Sequence, residues 1–394
     1  MGFQSGAKAQ TWKKIYTNPQ WYGISVAVNP LSQGHTIFYV ADSNLNIVRS
    51  DDGGVSWKLY NITKKKSTSA AIHQLLCLKA DTNIVFALGD GIFRSTDGGK
   101  TWTNVLNIAS DDGETLVFHE PSNTLYFSPN NMLTIWTSID HGATWSEAPG
   151  THDSSMVCSI AVSNDAHPTI LAGNGMGRIV RSLDGGVTWK EVVTADTGDI
   201  ETSKILYVRS APHTAIATSW YADDRTILIT TDDGISWNKI TSDPKWIWTI
   251  EIDPDPVKVL NGIPQHFWIG LLANYDFTKS YPDVSETFDG GMTWMHYNFT
   301  NQDHGIWVLT FDSSSHTLFA ANGEGLYTLK TGSDVVNSLP SVSSVAYPNP
   351  FSGHFNIPLT PEFTAPVELQ IWDECGRLQL KKSCDGGTSA LTID

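Results

Sequence analysis

Three things are scarce in this chain, and each scarcity removes a class of protein. Cysteine is one: four residues in 394 cannot staple a disulfide scaffold. Positive charge is another, with 25 Lys and Arg against 41 Asp and Glu, for a formal net charge of −16. A field of that sign repels phosphate backbones, so nucleic acid is not an expected partner, and a polyanionic glycan needs a local basic patch to bind. Neutral sugars, cations and basic surfaces stay open. Long apolar runs are missing as well: none reaches the roughly 18 residues that a membrane-crossing helix needs. The opening MGFQSGAKAQ has no apolar signal core, so an exported form would have lost its signal ahead of residue 1. No segment sustains a 3.6-residue period, which argues against helices. Of the cysteines, Cys77 and Cys158 sit in the apolar runs LLCLK and MVCSI and read as small buried hydrophobes. Cys375 and Cys384 lie nine residues apart and could pair in an oxidising compartment, a point the sequence leaves open.

What is abundant is tryptophan and glycine, at 15 and 32 residues, and 40% of the chain is hydrophobic, enough for a packed core. Both residues recur in one motif, Ser/Thr-x-Asp-x-Gly-x-Thr/Ser-Trp. It reads SDDGGVSW, STDGGKTW, SIDHGATW, SLDGGVTW and TTDDGISW, and once more as TFDGGMTW. Its acidic positions are Asp52, Asp97, Asp140, Asp184, Asp232 and Asp289, and its aromatic ones are Trp57, Trp102, Trp145, Trp189, Trp237 and Trp294. The chemistry explains the spacing. An Asp at the head of a turn accepts the following backbone N–H groups. Glycine supplies the positive φ of a tight hairpin. The Ser or Thr hydroxyl can bond the same Asp. The Trp then opens a strand with a large face to bury. Successive Trp residues stand 45, 43, 44, 48 and 57 positions apart, and each unit holds three further strand-like runs, GISVAVNP, TIFYVA and NIVRS in the first. Four strands per ~45 residues is one propeller blade.

The two ends complete the pattern. Thr11-Trp12-Lys13-Lys14-Ile15 looks like the strand after a box, with no box before it, and Gly323–Gly332 looks like the strand before a box, with none after it. The spacing therefore predicts an all-β fold: a seven-bladed β-propeller of four-stranded antiparallel blades over residues 1–332, closed by the N-terminal strand, which removes two open sheet edges. A count of six or eight would require one misread unit. The long sixth unit is expected to carry an insertion within Ile263–Ser285.

This motif is the Asp-box (BNR) repeat, and residues 10–332 resemble the propellers of sialidases, xyloglucan-degrading enzymes, sortilin-type receptors and photosystem II assembly-factor-like proteins. The resemblance implies the fold strongly and the activity weakly, because the boxes sit in turns away from the usual binding face. Individual families can be tested. Sialidases clamp a carboxylate with three Arg, whereas here Arg49, Arg94 and Arg181 directly precede boxes and read as repeat positions, leaving Arg178, Arg209 and Arg225. Xyloglucan-degrading enzymes of this type use two propellers with one carboxylate from each. Asp42 falls near the first of those positions, in a motif that does not match. The basic patch of the plant-type assembly factors is absent. A polysaccharide lyase would need a set such as His73, His152, His304, Tyr221 and Arg225.

After the propeller, residues 333–344 turn rich in Ser, Val and Asn and read as a linker. Tyr347-Pro348-Asn349-Pro350-Phe351, followed by a strand that ends in Asp373-x-x-Gly376-Arg377, resembles the C-terminal sorting domain of type IX secretion substrates in Bacteroidetes-type bacteria, a small β-sandwich. Residues 345–394 hold only part of it, because the final strand with its basic end is missing. An unrelated Ig-like module is the plainer alternative. The resemblance implies export across the outer membrane, the type IX secretion machinery as a partner, and a secreted or cell-surface location.

Ligands of propellers usually sit on the face formed by the loops into each innermost strand and the loops between second and third strands. At those positions the aromatic and imidazole candidates for ligand contact are Trp21, Tyr22, His73, Trp220, Tyr221, Trp246 and His304. The carboxylate candidates for catalysis are Asp42, Asp90, Glu201 and Asp303. Aromatic faces stack on sugars, and paired carboxylates hydrolyse glycosides. Plainer readings stand beside these. Trp246 and Trp248 alternate on one strand, so one of them is expected in the core, and single histidines are more often structural. No His/Cys metal spacing and no cofactor motif is present, although Ca²⁺ is compatible with acidic loops. The expected function is a secreted, carbohydrate-active protein that acts on or binds a polysaccharide or surface glycan, glycoside hydrolase-like if it is an enzyme. A non-catalytic glycan- or protein-binding module, a lyase and an assembly scaffold remain as alternatives.

Overall fold

The computed structural model describes residues 11–18, 25–40, 46–62, 72–89, 91–108, 115–129, 133–149, 157–175, 177–193, 202–219, 226–241, 247–255, 258–271, 282–300 and 305–331, and the backbone of four strands nearer the C-terminus. Compact packing divides the chain into Met1–Thr331 and Gly332–Asp394.

The first unit is a seven-bladed propeller. Its strands form seven four-stranded antiparallel sheets, and no α-helix occurs among the described residues. Blade 1 runs outward as Val26–Val28, Ile37–Val40, Asn46–Ser50 and Lys58–Asn61. The innermost strands of blades 2 to 7 are Gln74–Cys77, Thr115–His119, Val157–Val162, Thr202–Tyr207, Ile247–Ile252 and Val308–Asp312. Each innermost strand touches that of the next blade, and the seventh touches the first, so the ring closes around a central channel. Closure is made as the sequence predicts. Lys13–Thr17 pairs with Gly325–Lys330 and supplies the outermost strand of blade 7, with Lys13 opposite Thr328 and Thr17 opposite Gly325.

Burial falls from the inside out. Second strands such as Val85–Gly89 and Thr124–Ser128 are buried throughout, while the outermost Lys58–Asn61 is largely exposed. The core is seven interblade seams, and each holds one repeat tryptophan. Trp57 packs between blades 7 and 1, Trp102 between 1 and 2, and Trp145 between 2 and 3. Trp189, Trp237 and Trp294 follow in order. The seam between blades 6 and 7 takes Trp12, stacked on Phe299 with ring centroids 4.2 Å apart. The tryptophan of each strand is thus the wedge against the preceding blade.

All six boxes share one hydrogen-bond pattern. In the first, Ser50 Oγ donates to Asp52 Oδ1 at 2.8 Å and accepts from Gly54 N–H at 2.8 Å, while Ser56 N–H donates to Asp52 Oδ1 at 2.8 Å. The bonds from Ser56 and Ser50 hold the Asp52 carboxyl down at about 2, and those from Thr144 and Ser138 do the same for Asp140. Glycine is obligatory in these turns: Gly142 has φ 78°, and a Cβ there would meet Phe86 Cε1 at 2.4 Å. The arginines before the boxes are interblade stitches, as their repeat positions imply. Arg94 Nε donates to the His141 carbonyl and Arg181 Nε to the Asp233 carbonyl, each at 2.7 Å, and Arg49 reaches Gly98 in the same way. Each bonds the residue after the box Asp of the next blade.

Blade 6 carries the extra length, partly within the expected Ile263–Ser285 and partly ahead of it. A two-stranded hairpin, Val259–Leu260 with Ile263–Pro264, stands between its first and second strands and begins ahead of Ile263. In the second unit, Phe355–Pro358 pairs with Ala390–Ile393, and Val367–Trp372 pairs with Leu378–Cys384.

Candidate functional site

The repeat supplies its own reference, because each innermost strand has six counterparts. Val26, Leu75, Leu116, Ile160, Ile205, Ile250 and Leu309 occupy one equivalent, buried position. The residues just before them stitch the ring from within. Ser25 Oγ accepts from Leu75 N–H at 2.8 Å, and Ser159 Oγ accepts from Ile205 N–H at 3.1 Å. Gln74 grips both backbone groups of Leu116, at 3.0 and 2.7 Å. Blades 6 and 7 use a different tie, Ile306 N–H to the Leu271 carbonyl at 2.7 Å, and leave the buried Thr249 hydroxyl unpartnered.

Against this background, three consecutive blades depart from the pattern. The innermost strands of blades 4, 5 and 6 each carry a β-bulge at their start, at Cys158, Ser203 and Trp248. These starts lie at the end of the sheets opposite the boxes. A bulge gives two residues where one is expected, bends the strand and re-aims a side chain, and such irregularities concentrate beside active sites. Ser203 uses its hydroxyl to bond the Ile247 carbonyl at 2.9 Å. Cys158 and Trp248 are half-buried at the mouth of the channel. The expectation of a buried Cys158 is therefore corrected, because the bulge turns it from the core, whereas Cys77 is buried as expected. The tight packing behind the bulges requires glycine: a Cβ on Gly173 would meet Thr202 Cγ2 at 2.4 Å, and one on Gly270 would meet Thr249 Cγ2 at 2.6 Å.

Two ionisable residues break the pattern further in. Lys204 takes the position held elsewhere by Ser25, Gln74 and Ser159, and Glu251 takes that of Ala27, Leu76 and Ala161. Both are half-buried on the channel's inner strands. Burial drives the Lys204 ammonium below the usual lysine range, partly opposed by Glu251. Burial likewise pushes the Glu251 carboxyl up to about 7, against the pull of Lys204 and Arg209. At the box end, Glu120 binds Lys79 at 3.1 Å and Arg209 at 3.2 Å, linking the turns of blades 2, 3 and 5. Sequence reasoning missed Lys204 and Glu251. The available signal was a charged residue at a position that is neutral in the other copies.

Of the predicted ligand residues, the structure describes His73, which is half-buried and leads into the innermost strand of blade 2 through a 2.8 Å bond from its N–H to the Leu88 carbonyl. Trp21, Tyr22, Trp220, Tyr221, Trp246 and His304 lie outside the described residues, as do Asp42, Asp90, Glu201 and Asp303.

Two further clusters lie elsewhere. In blade 6, His266 is clamped between Asp253 and Glu286, at 2.8 Å on each ring nitrogen, with Lys258 on Asp253 and Phe288 stacked on the ring. All three central side chains are buried, so the cluster fastens the blade and offers no opening to a substrate. On the box side, Asp165, His213 and Asp233 each bring one donor atom within 4.8 Å of the others, and His213 already bonds Asp233 at 2.5 Å. These three are the described residues that could hold a metal ion.

The BNR/Asp-box repeat family matches residues 93–104. Xyloglucanase Xgh74A of Acetivibrio thermocellus is 27% identical over 210 residues, which is 46% of this chain and 22% of that protein. The chain thus spans about a fifth of the length of this curated relative. Among solved structures, an ancestral GH74 enzyme superposes with a TM-score of 0.61 at 14% identity, over 83% of this chain and 47% of that one. YCF48 bound to D1 peptide superposes with a TM-score of 0.59 at 12% identity, over 83% and 96%. These likenesses establish the propeller fold.

Proposed function

We propose that this protein is a carbohydrate-active propeller, glycoside hydrolase-like, that engages a neutral polysaccharide of the xyloglucan kind at the channel face opposite the boxes. The observation that carries the reading is the 27% identity with a xyloglucanase over 210 residues. The bulged strand starts of blades 4 to 6 support it, because a half-buried Trp248 stands at one of them, at the end of the ring opposite the boxes, and an aromatic ring is the side chain on which a sugar stacks. The net charge of −16 favours a neutral glycan over an acidic one. Secretion belongs to the same proposal and rests on the sorting-domain resemblance of residues 345–394.

A second reading, a non-catalytic binding module, has its own support. YCF48 bound to D1 peptide is covered over 96% of its length, whereas 22% of the xyloglucanase is covered, so this chain corresponds to one whole propeller of the former and a fraction of the latter. Glycoside hydrolysis needs two converging carboxylates about 5–10 Å apart. Among the described residues of the innermost strands, the carboxylates are Glu251 and Asp312, and Asp312 is tied into a turn by Ser314 and Ser315.

Reducing-sugar release and binding on xyloglucan test both readings. Release supports the hydrolase, and binding without release supports the module. In either case Trp248→Ala should weaken binding by about tenfold, the loss of one stacked aromatic. Silence toward xyloglucan and other neutral glycans overturns the carbohydrate reading.

A further inference from the structure

At the box end, blades 4 and 5 bring together side chains that the repeat does not combine elsewhere among the described residues. In four blades the residue after the box Asp donates its N–H to the turn between the first and second strands. Gly53 donates to His35 and Gly290 to Gln265, each at 3.0 Å, and Gly98 donates to Asn83 and Asp233 to His213, each at 2.9 Å. Three of these donors are glycines and bring no side chain. In blade 5 the donor is Asp233, held at φ 59°, and its Oδ2 stands 2.5 Å from His213 Nδ1. The corresponding turn of blade 4 adds Asp165, whose Oδ2 is 3.9 Å from the same nitrogen. One donor atom from each of the three lies within 4.8 Å of the others. In blade 3 the matching pair is neutral, Asn123 with His141 at 2.9 Å.

Hydrogen bonding leaves this set incomplete. His213 Nδ1 carries at most one proton, and that proton serves only the nearer carboxylate. Asp233 Oδ1 is sheltered from solvent and has no hydrogen-bond partner. No hydrogen bond from the described residues reaches the Asp165 carboxylate. Arg181 is engaged by the Asp233 carbonyl, 2.7 Å from its Nε, and forms no ion pair with either carboxylate. A sheltered carboxylate oxygen without a donor is costly, and a bound cation satisfies it.

We propose that Asp165, His213 and Asp233 bind one divalent transition-metal ion, of the Zn²⁺ kind, which clamps blade 4 to blade 5 at the box end. The ion takes the place of the proton on His213 Nδ1. Ligands at about 2.0–2.2 Å around a tetrahedral Zn²⁺ stand about 3.3 Å from one another. The 2.5 Å contact therefore has to open and the 3.9 Å one to close, each by less than about 1 Å, a swing within reach of the exposed His213 side chain. Asp165 and Asp233 approach from different blades, and Asp233 Oδ1 gains a partner if that carboxylate binds through both oxygens. The position left over faces water. An imidazole among the ligands selects a transition-metal ion over Mg²⁺ and Ca²⁺, which take oxygen shells. Residues 165, 213 and 233 stand too far apart in the chain for any local spacing to announce the site. It lies at the end of the ring opposite the proposed glycan face, so the two readings stand or fall separately.

The test is calorimetric titration of the full chain, stripped with a chelator and desalted, with zinc chloride, beside melting curves in zinc, calcium and magnesium chlorides. One saturable zinc site per chain is expected. Saturating zinc should raise the melting temperature by about 2 °C or more, because the ion binds only the folded arrangement. Calcium and magnesium at the same concentration should leave the melt unchanged. His213→Ala should abolish zinc binding. Asp165→Asn, which alters a surface carboxylate on the other blade, should weaken it about tenfold or more, as loss of a ligand does. Cobalt chloride gives a second readout, a visible absorption band that His213→Ala removes. If His213→Ala does not fold, Asp165→Asn still decides. Absence of a saturable zinc site would overturn the proposal. So would zinc binding that both variants leave intact, or an equal shift of the melt by calcium.

Discussion

The two ends of the propeller are built on opposite plans. At the box end, one turn is stamped six times with the same bonds, and the same arginine stitch recurs from blade to blade. At the other end of the innermost strands, blades 4, 5 and 6 are bulged, blades 2, 3 and 7 are regular, and the side chains differ from copy to copy. Repetition at one end buys a closed scaffold that does not depend on any single turn. Departure from the repeat at the other end is where a recognition surface can be individual.

The contrast can be broken from the irregular side first. Gly270→Val places a branched side chain against Thr249 and Ile306, where even a Cβ would stand 2.6 Å from Thr249 Cγ2. It should destabilise the propeller by about 1–3 kcal/mol, the usual cost of overpacking, read by chemical denaturation. An equal melt for wild type and variant would mean that the bulge is soft. On the regular side, Asp289→Ala removes the acceptor for Thr293 N–H at 2.8 Å and for two hydroxyls. The expected loss is about 1–2 kcal/mol, because those bonds lie within one turn and water replaces part of them. A loss larger than that of Gly270→Val would reverse the ranking of the two ends.

The pH dependence has opposite signs for the box carboxyls and for Glu251. The Asp52 and Asp140 carboxyls are held at about 2 by hydrogen bonds, so their contribution is present above the ordinary Asp range and is lost as pH falls toward 2. These groups lie at the surface, where solvent screens them, so the change should be a gentle decline in melting temperature. Glu251 is displaced the other way, up to about 7 from 4.5. Folding favours its protonated form, so stability declines as pH rises from about 4.5 to about 7 and is level beyond. Glu251→Gln should remove the upper decline and leave the acid one. Melting curves from pH about 2 to about 8 read both limbs. A variant that keeps the upper decline would assign it to another group.

The boxes were legible because each is local. Ser50, Asp52, Gly54 and Ser56 lie within one seven-residue stretch, so the bonds among them follow from the order of residues alone. Blade number followed from the spacing of the tryptophans, and closure from the two orphan strands at the ends, since Lys13–Thr17 needed a sheet and Gly325–Lys330 lacked a neighbour. The site was not legible in the same way. Nothing in TSKIL or IWTIE announces a bulge, because the extra residue is defined by the partner strand and by glycines such as Gly270 that let the next blade approach. The electrostatic influence of Glu251 on Lys204, and the burial that displaces both carboxyl and ammonium, exist only when seven blades close around a common axis. Sequence by itself determined the turns, the blade count and the wedge of each seam, because these rest on contacts within a few residues or on a strict period. The tertiary structure alone decided which side chains share the channel, because that depends on long-range ring closure and on the low-dielectric surroundings it creates.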